Sequence, residues 1–265
     1  MKRNHTPTSS DIEFVLFGKG HEVLIILPGL SESLRSVKKA KWILSFLYRS
    51  FSRDFTVYIF GRKQAMNDGY QIQDMANDQV AVMDQLGIDK ASFLGVSQGG
   101  MIAQRIAITY PNRVQKLVLA VTSARKTPIL ESVITTWLEA ANNNDYQAIL
   151  FETLKATYAP KKVKQMKGWV PIIARLTKPK SLQNFIVQAK ACLNHDSWDE
   201  LKNITAPTLV IGGGNDQIVG TNTSVELASQ IRNARLHVYP EYGHAAFEEA
   251  SDFQRRVLSF LRQSD

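Results

Sequence analysis

Leu94-Gly95-Val96-Ser97-Gln98-Gly99-Gly100 joins a short apolar run, residues 91–94, to a segment with helical spacing, residues 98–110. A turn from strand to helix this tight makes the side chains two residues either side of the serine collide. Gly95 and Gly99 remove the offending Cβ atoms, and Gly100 lets the helix lie close to its neighbours. The serine is thereby thrust above the strand end, and the first backbone N–H groups of the helix point at whatever binds there. A glycine-rich strand-to-helix loop of no chemical significance is the plain alternative. The strand before the motif and the helix after it give G-x-S-x-G its meaning.

Working outward, the chain to about residue 121 alternates strand and helix signals. Apolar, β-branched runs occupy residues 12–17, 23–27, 55–60, 91–94 and 116–121. Helical spacing covers residues 34–51, 74–86 and 98–110, and Pro111 terminates the last of these. Gly18-Lys19-Gly20 between the first two runs predicts a hairpin, and right-handed parallel crossovers follow it. Residues 123–203 lose strand character and read as amphipathic helices over 129–141, 146–157, 163–176 and 182–193. Alternation returns with strands at 208–211 and 235–239 and helices at 224–231 and 247–261. The pattern predicts a doubly wound sheet with a helical insertion after its sixth strand. In such a sheet, functional groups gather on loops at the carboxyl ends of strands.

A serine hydroxyl is a weak nucleophile until a base takes its proton. The five histidines are His5, His21, His195, His237 and His244. His5 lies in a polar tail, His21 at a strand start and His237 within a strand. His244 alone sits directly after a strand, in Pro240-Glu241-Tyr242-Gly243-His244, and is assigned as the general base. His195, in the insertion, is kept as a residue of a pocket roof. The base needs a carboxylate to fix its tautomer. Asp216 follows strand 208–211 through Gly212-Gly213-Gly214-Asn215, whereas Asp68, Asp74 and Asp78 read as helix-start or surface carboxylates. The order Ser97, Asp216, His244 is the one a nucleophile elbow of this kind carries. The oxyanion hole needs two backbone donors. They are assigned as the N–H of Gln98 and, from the loop Leu27-Pro28-Gly29-Leu30-Ser31-Glu32-Ser33, the N–H of Leu30. Losing one such donor costs roughly 3–4 kcal/mol of transition-state stabilisation.

Bulk properties agree with an ordinary globular enzyme: 265 residues, 44% apolar, 21% charged and one cysteine, Cys192, which excludes an internal disulfide. Neither a signal-peptide pattern nor an apolar run of membrane-spanning length is present, so a cytoplasmic protein without a membrane span is expected. The net charge is +8, and residues 153–195 carry Lys and Arg but no Asp or Glu. Such a block fits a solvated helix face, an anionic substrate, a membrane surface or nucleic acid. The solvated face is the plainest of these, and with no nucleic-acid-binding motif, no nucleic-acid partner is expected.

Together, residues 94–100, the lead-in Tyr70-Gln71-Ile72-Gln73-Asp74-Met75-Ala76, and Asp216-Gln217-Ile218-Val219 with Gly243-His244 resemble the α/β-hydrolase superfamily. The likeness is to its compact branch of enol-lactone hydrolases, meta-cleavage C–C hydrolases, carboxylesterases and cofactor-free haloperoxidase-like enzymes. It runs over residues 23–261 and thins in the insertion. It implies a mostly parallel, eight-stranded sheet, with residues 1–122 and 204–265 as the core domain and 123–203 as a helical cap over the site. Trp137, Met166, Trp169 and Phe185 are the cap's candidate apolar pocket residues. Two departures stand out. The family often has His-Gly in the oxyanion loop, its His mainly ordering that loop, and here the pair is Pro28-Gly29. The family's Asp-x-x-Gly-x-Gly-x-Ser segment is replaced by residues 61–69, which keep little beyond Arg62. The activity implied is hydrolysis of a small carboxylic ester, thioester or lactone through an acyl-serine, with no cofactor and no metal. C–C hydrolysis or perhydrolysis on the same residues, and a non-catalytic ligand receptor, are the alternatives. The expected partner is a small-molecule substrate, an anionic one if the basic block steers it, and the chain is expected as a monomer or homodimer.

Overall fold

Strands alternate their side chains between two faces, and here both faces are apolar. Leu24 and Ile26 enter one core and Ile25 and Leu27 the other, all fully buried. The computed structural model describes residues 12–34 and 36–263. Among them are seven strands: β1 (Ile12–Gly18), β2 (Glu22–Leu27), β3 (Phe55–Lys63), β4 (Ala91–Val96), β5 (Val114–Ala120), β6 (Thr208–Gly213) and β7 (Ala234–Tyr239). The order across the sheet is β1-β3-β2-β4-β5-β6-β7, and every pairing is parallel except β1 with β3.

The helices are α1 (Lys41–Leu47), α2 (Ile72–Gln85), α3 (Gln98–Thr109), α4 (Pro128–Asn142), α5 (Tyr146–Thr157), α6 (Pro160–Met166), α7 (Val170–Thr177), α8 (Gln183–Leu193), α9 (Thr223–Gln230), α10 (Ala246–Glu249) and α11 (Phe253–Leu261). Helices α2 and α3 pack on the Ile25 face through Met75, Val80, Met101 and Ile106. Helix α11 covers the other face with Phe253, Val257 and Phe260, beside Phe51 and Phe55. The doubly wound expectation holds.

Four expectations are corrected. The sheet has seven strands among the described residues rather than eight, because the sequence holds seven apolar runs of strand character. The helical insertion therefore follows the fifth of these strands, not the sixth. The predicted hairpin is absent. Strand β3 lies between β1 and β2, and Gly20 packs so closely on the Asp54 carbonyl that a Cβ there would overlap it. The glycines of that connection make room for β3 instead of reversing the chain tightly. In the insertion, the helix expected over 163–176 breaks into α6, a 3-10 turn Lys167–Trp169 and α7. Pro171 sits in the first turn of α7, where its missing N–H costs nothing, which it could not do inside one continuous helix.

The parallel register brings Leu27, Gly95 and Leu119 side by side, and Gly213 beside Tyr239. The loops that leave β2, β4, β6 and β7 thus open at one edge of the sheet.

Candidate active site

Ser97 stands between β4 and α3 with φ 54° and ψ −119°, a left-handed conformation that a non-glycine residue adopts only where the surroundings force it. Such strain costs of order 1–3 kcal/mol. Its environment holds it there. The Ser97 N–H donates to the Ala120 carbonyl at 2.9 Å, and the Ser97 carbonyl accepts from Thr122 Oγ1 at 2.7 Å and from the Gly100 N–H at 2.8 Å. A Cβ on Gly95 would lie 2.5 Å from the Gly99 carbonyl oxygen, and one on Gly99 would fall on the Leu27 carbonyl. Both glycines of the motif are therefore required by contact as well as by turn geometry.

Asp216 and His244, 28 residues apart in sequence, meet above the ends of β6 and β7. His244 Nδ1 lies 2.8 Å from Asp216 Oδ2, and both residues are buried. The other carboxylate oxygen, Oδ1, accepts from the N–H groups of Ile218 at 2.8 Å and Val219 at 3.0 Å. These two bonds orient the carboxylate toward the imidazole. With Nδ1 engaged by the carboxylate, Nε2 is the ring nitrogen a general base would use, and His244 lines the cavity that Ser97 lines.

Ser97 and His244 line one cavity of about 330 Å³, together with Gly29 and Leu30 of the loop after β2. That loop passes directly over the serine: a Cβ on Gly29 would lie 3.3 Å from Ser97 Cβ and 3.8 Å from its Oγ. Leu30 opens a 3-10 turn, Leu30–Leu34, and Gln98 opens α3. As first residues of helical segments, both have N–H groups with no acceptor inside their own helix. The structure thus gathers Ser97, Asp216, His244, Leu30 and Gln98 at one sheet edge.

The loop is anchored by a residue whose part the sequence left unread. Arg62, buried at the end of β3, donates from Nη2 to the Pro28 carbonyl at 2.7 Å, and its N–H donates to Glu32 Oε1 at 3.3 Å. Burial raises the Glu32 carboxyl above its ordinary pKa, with the Arg62 charge opposing the rise. Burial likewise lowers the Arg62 guanidinium, with Glu32 opposing. The signal available in the sequence was an arginine surviving in an otherwise eroded segment.

The insertion supplies the far wall. Trp137 and Phe185 line the cavity as expected, with ring centroids 6.5 Å apart. Met166 and Trp169 do not line it, and Trp169 is exposed. The insertion is tied to both halves of the site. Gln98 Nε2 donates to the Gln188 carbonyl at 3.2 Å and contacts Cys192 Sγ at 3.3 Å. Around His244, the Ala245 N–H donates to the Thr157 carbonyl at 3.4 Å, Tyr158 Oη to Glu248, and Lys162 Nζ to Glu249 at 2.9 Å. Burial pushes the Cys192 thiol up to about 12. Leu44, Leu47 and Tyr48, from α1 and just after it, complete the lining.

Other expectations resolve differently. His195 is buried 3.4 Å from Ser197 Oγ, away from the cavity, and not in its roof. Burial, then the Arg105 charge, lowers its pKa to about 3. His237 stacks edge-on against Tyr239 in β7, and His5 lies outside the described residues. The basic block does not reach the site: among the described residues, no Lys or Arg lines the Ser97 cavity. Lys155, Lys164 and Lys167 line a separate hollow beyond Thr157 and Tyr158.

A family model described as the alpha/beta hydrolase fold matches residues 22–251. The chain belongs to the α/β-hydrolase-fold family. It is 33% identical over 193 residues to a 2-hydroxy-6-oxo-6-phenylhexa-2,4-dienoate hydrolase of Comamonas testosteroni, an alignment covering 69% of this chain and 66% of that protein. Among solved structures, an alpha/beta hydrolase enzyme from a Medee basin deep-sea metagenome library superposes with a TM-score of 0.85 at 24% identity, covering 98% of each chain. The enol-lactonase from Burkholderia xenovorans LB400 gives a TM-score of 0.81 at 22% identity, covering 95% of this chain and 96% of that one. Both superpositions speak to the fold. No described helix of this α/β-hydrolase-fold chain is long and apolar enough to cross a membrane.

Proposed function

We propose that this chain is a serine hydrolase in which Ser97 attacks a carbonyl carbon. The reading is carried by one observation, the hydrogen bond between Asp216 and His244, which lines the same cavity as Ser97. In it, His244 Nε2 takes the Ser97 proton as the Oγ–carbon bond forms, and Asp216 stabilises the imidazolium. The Leu30 and Gln98 N–H groups receive the developing oxyanion. As the tetrahedral intermediate collapses, His244 returns the proton to the leaving oxygen of an ester or lactone, or the leaving sulfur of a thioester, and a water activated by the same imidazole releases the acyl group. Residues 123–203 act as the cap, through Trp137, Leu150 and Phe185 over the serine.

The cavity chemistry supports a small, uncharged ester, thioester or lactone. Apolar side chains dominate the lining, no Lys or Arg is among its described residues, and Glu248 contributes a carboxylate. A carboxylate-bearing substrate would be desolvated there without a cationic partner. A second reading is favoured by the Comamonas testosteroni relative, whose name describes hydrolysis of a dienoate: C–C bond cleavage on the same residues. That relative's name gives its substrate a carboxylate, and no described lining residue of this cavity is a Lys or Arg.

A panel of p-nitrophenyl esters of graded chain length, neutral lactones and a 2-hydroxy-6-oxo-dienoate separates the two. The ester reading predicts higher kcat/KM on neutral esters or lactones than on the dienoate. Turnover of the dienoate alone would overturn it in favour of the C–C reading.

A further inference from the structure

Helix α1 divides its side chains unusually. Leu44 and Leu47 face the Ser97 cavity, while Trp42, Ile43 and Phe46 point into solvent, 83%, 73% and 68% exposed. The 3-10 turn Lys167–Trp169 and α7 present a second stripe at helical spacing: Trp169, Ile172 and Leu176, 62%, 51% and 77% exposed. Ile43 of the first stripe and Leu176 of the second line the same groove, which also holds Lys39, Lys178, Lys180 and Glu32. Single exposed apolar residues are normal, but two exposed stripes flanking one groove, each with a tryptophan, mark a surface that meets something.

Charge says what. Lys38, Lys39, Lys41, Lys167, Lys178 and Lys180 are exposed around these stripes. Neither residues 33–53 nor residues 153–195 contain an Asp or Glu. The Arg49 guanidinium sits 4.0 Å over the Phe46 ring. Aromatic and aliphatic side chains flanked by exposed lysines suit the boundary between lipid headgroups and acyl chains, because a lysine stem can lie along apolar surface while its ammonium group stays in water. A second copy of the chain fits poorly. A two-fold dimer through this face would set one cationic rim against the other in a chain of net charge +8. The polar sequence at residues 1–11 offers no apolar run to cover the face.

We propose that the face formed by α1 and α7 docks the protein on an anionic lipid surface, Trp42, Phe46 and Trp169 entering the headgroup boundary and the lysines pairing with lipid phosphates. Because α1 is also a wall of the Ser97 cavity, docking sets that wall against the membrane.

The test is co-sedimentation of the full chain with phosphatidylcholine vesicles, alone or containing phosphatidylglycerol, at low and high salt. The expected result is partitioning about tenfold or more stronger to the anionic vesicles, lost at high salt. Trp42→Ser/Phe46→Ser and, separately, Lys39→Glu/Lys180→Glu should each lower it about tenfold with an unchanged melting temperature. If the first pair fails to fold, the lysine pair and the salt series still decide. Ser97→Ala should bind vesicles like the native chain, which separates this proposal from the hydrolytic one. Binding to neither vesicle, equal binding to both, or a dimer that Trp42→Ser/Phe46→Ser dissolves would overturn it.

Discussion

Arg62 holds the Pro28 carbonyl from beneath, its Nη2 at 2.7 Å, one residue before the glycine that passes over Ser97. A buried arginine at the end of β3 thus anchors this loop. Under the proposed mechanism such a positioning residue would act on the transition state through the Leu30 N–H and leave ground-state binding largely alone. Arg62→Gln is therefore expected to lower kcat by about ten- to a hundredfold while KM changes by less than about threefold. Arg62→Lys, which keeps the charge but loses the fork, should recover part of the loss. Steady-state kinetics on an ester substrate check this, and a change confined to KM would contradict it.

Asp216→Asn keeps an acceptor for the Ile218 and Val219 N–H groups but turns an amide toward His244. The imidazole is then held in the wrong tautomer, and kcat should fall about 10⁴-fold with the fold intact. Circular dichroism and kcat measured on the same sample decide it.

Fold and site were legible to different depths. The strands and the turn at Ser97 could be read because apolar runs bounded by Gly and Pro report local structure. The pairing of β1 could not, since its partner β3 lies some forty residues on and nothing near Gly18-Lys19-Gly20 encodes it. Asp216 and His244 were found as loop residues after strands, and their meeting follows from parallel register. Arg62 was visible as a residue but not as an anchor, because its role depends on the packing of β3 beneath the β2 loop. Residues 34–51 read as one helix, yet the chain forms a 3-10 turn, the short α1 and a second 3-10 turn. That region turns its apolar side chains both inward and outward, which periodicity alone does not distinguish.

His195 provides a pH signature outside the active site. Its pKa falls from 6.5 to about 3 on folding, first through burial and then through Arg105. The unfolded chain binds the extra proton, so stability present above pH 6.5 is lost as pH falls toward 3. One group contributes at most about 1.4 kcal/mol per pH unit in that window. Denaturant titrations across it should show a shallower slope in His195→Gln than in the native chain; equal slopes would sink the assignment.

Cys192 tests the packing between α8 and α3. Its thiol, buried and pushed up to about 12, contacts the Gln98 side chain at 3.3 Å. It should resist Ellman's reagent in the native protein and react fully in denaturant. Rapid labelling of the native chain would mean that the insertion opens away from α3.

Intact-mass analysis after reaction with a fluorophosphonate probe reads whether Ser97 is an activated nucleophile. A single adduct on Ser97 is expected in the native chain, none in Ser97→Ala, and labelling slowed by orders of magnitude in His244→Ala. An unlabelled native protein, or a Ser97→Ala variant that labels equally, would contradict it.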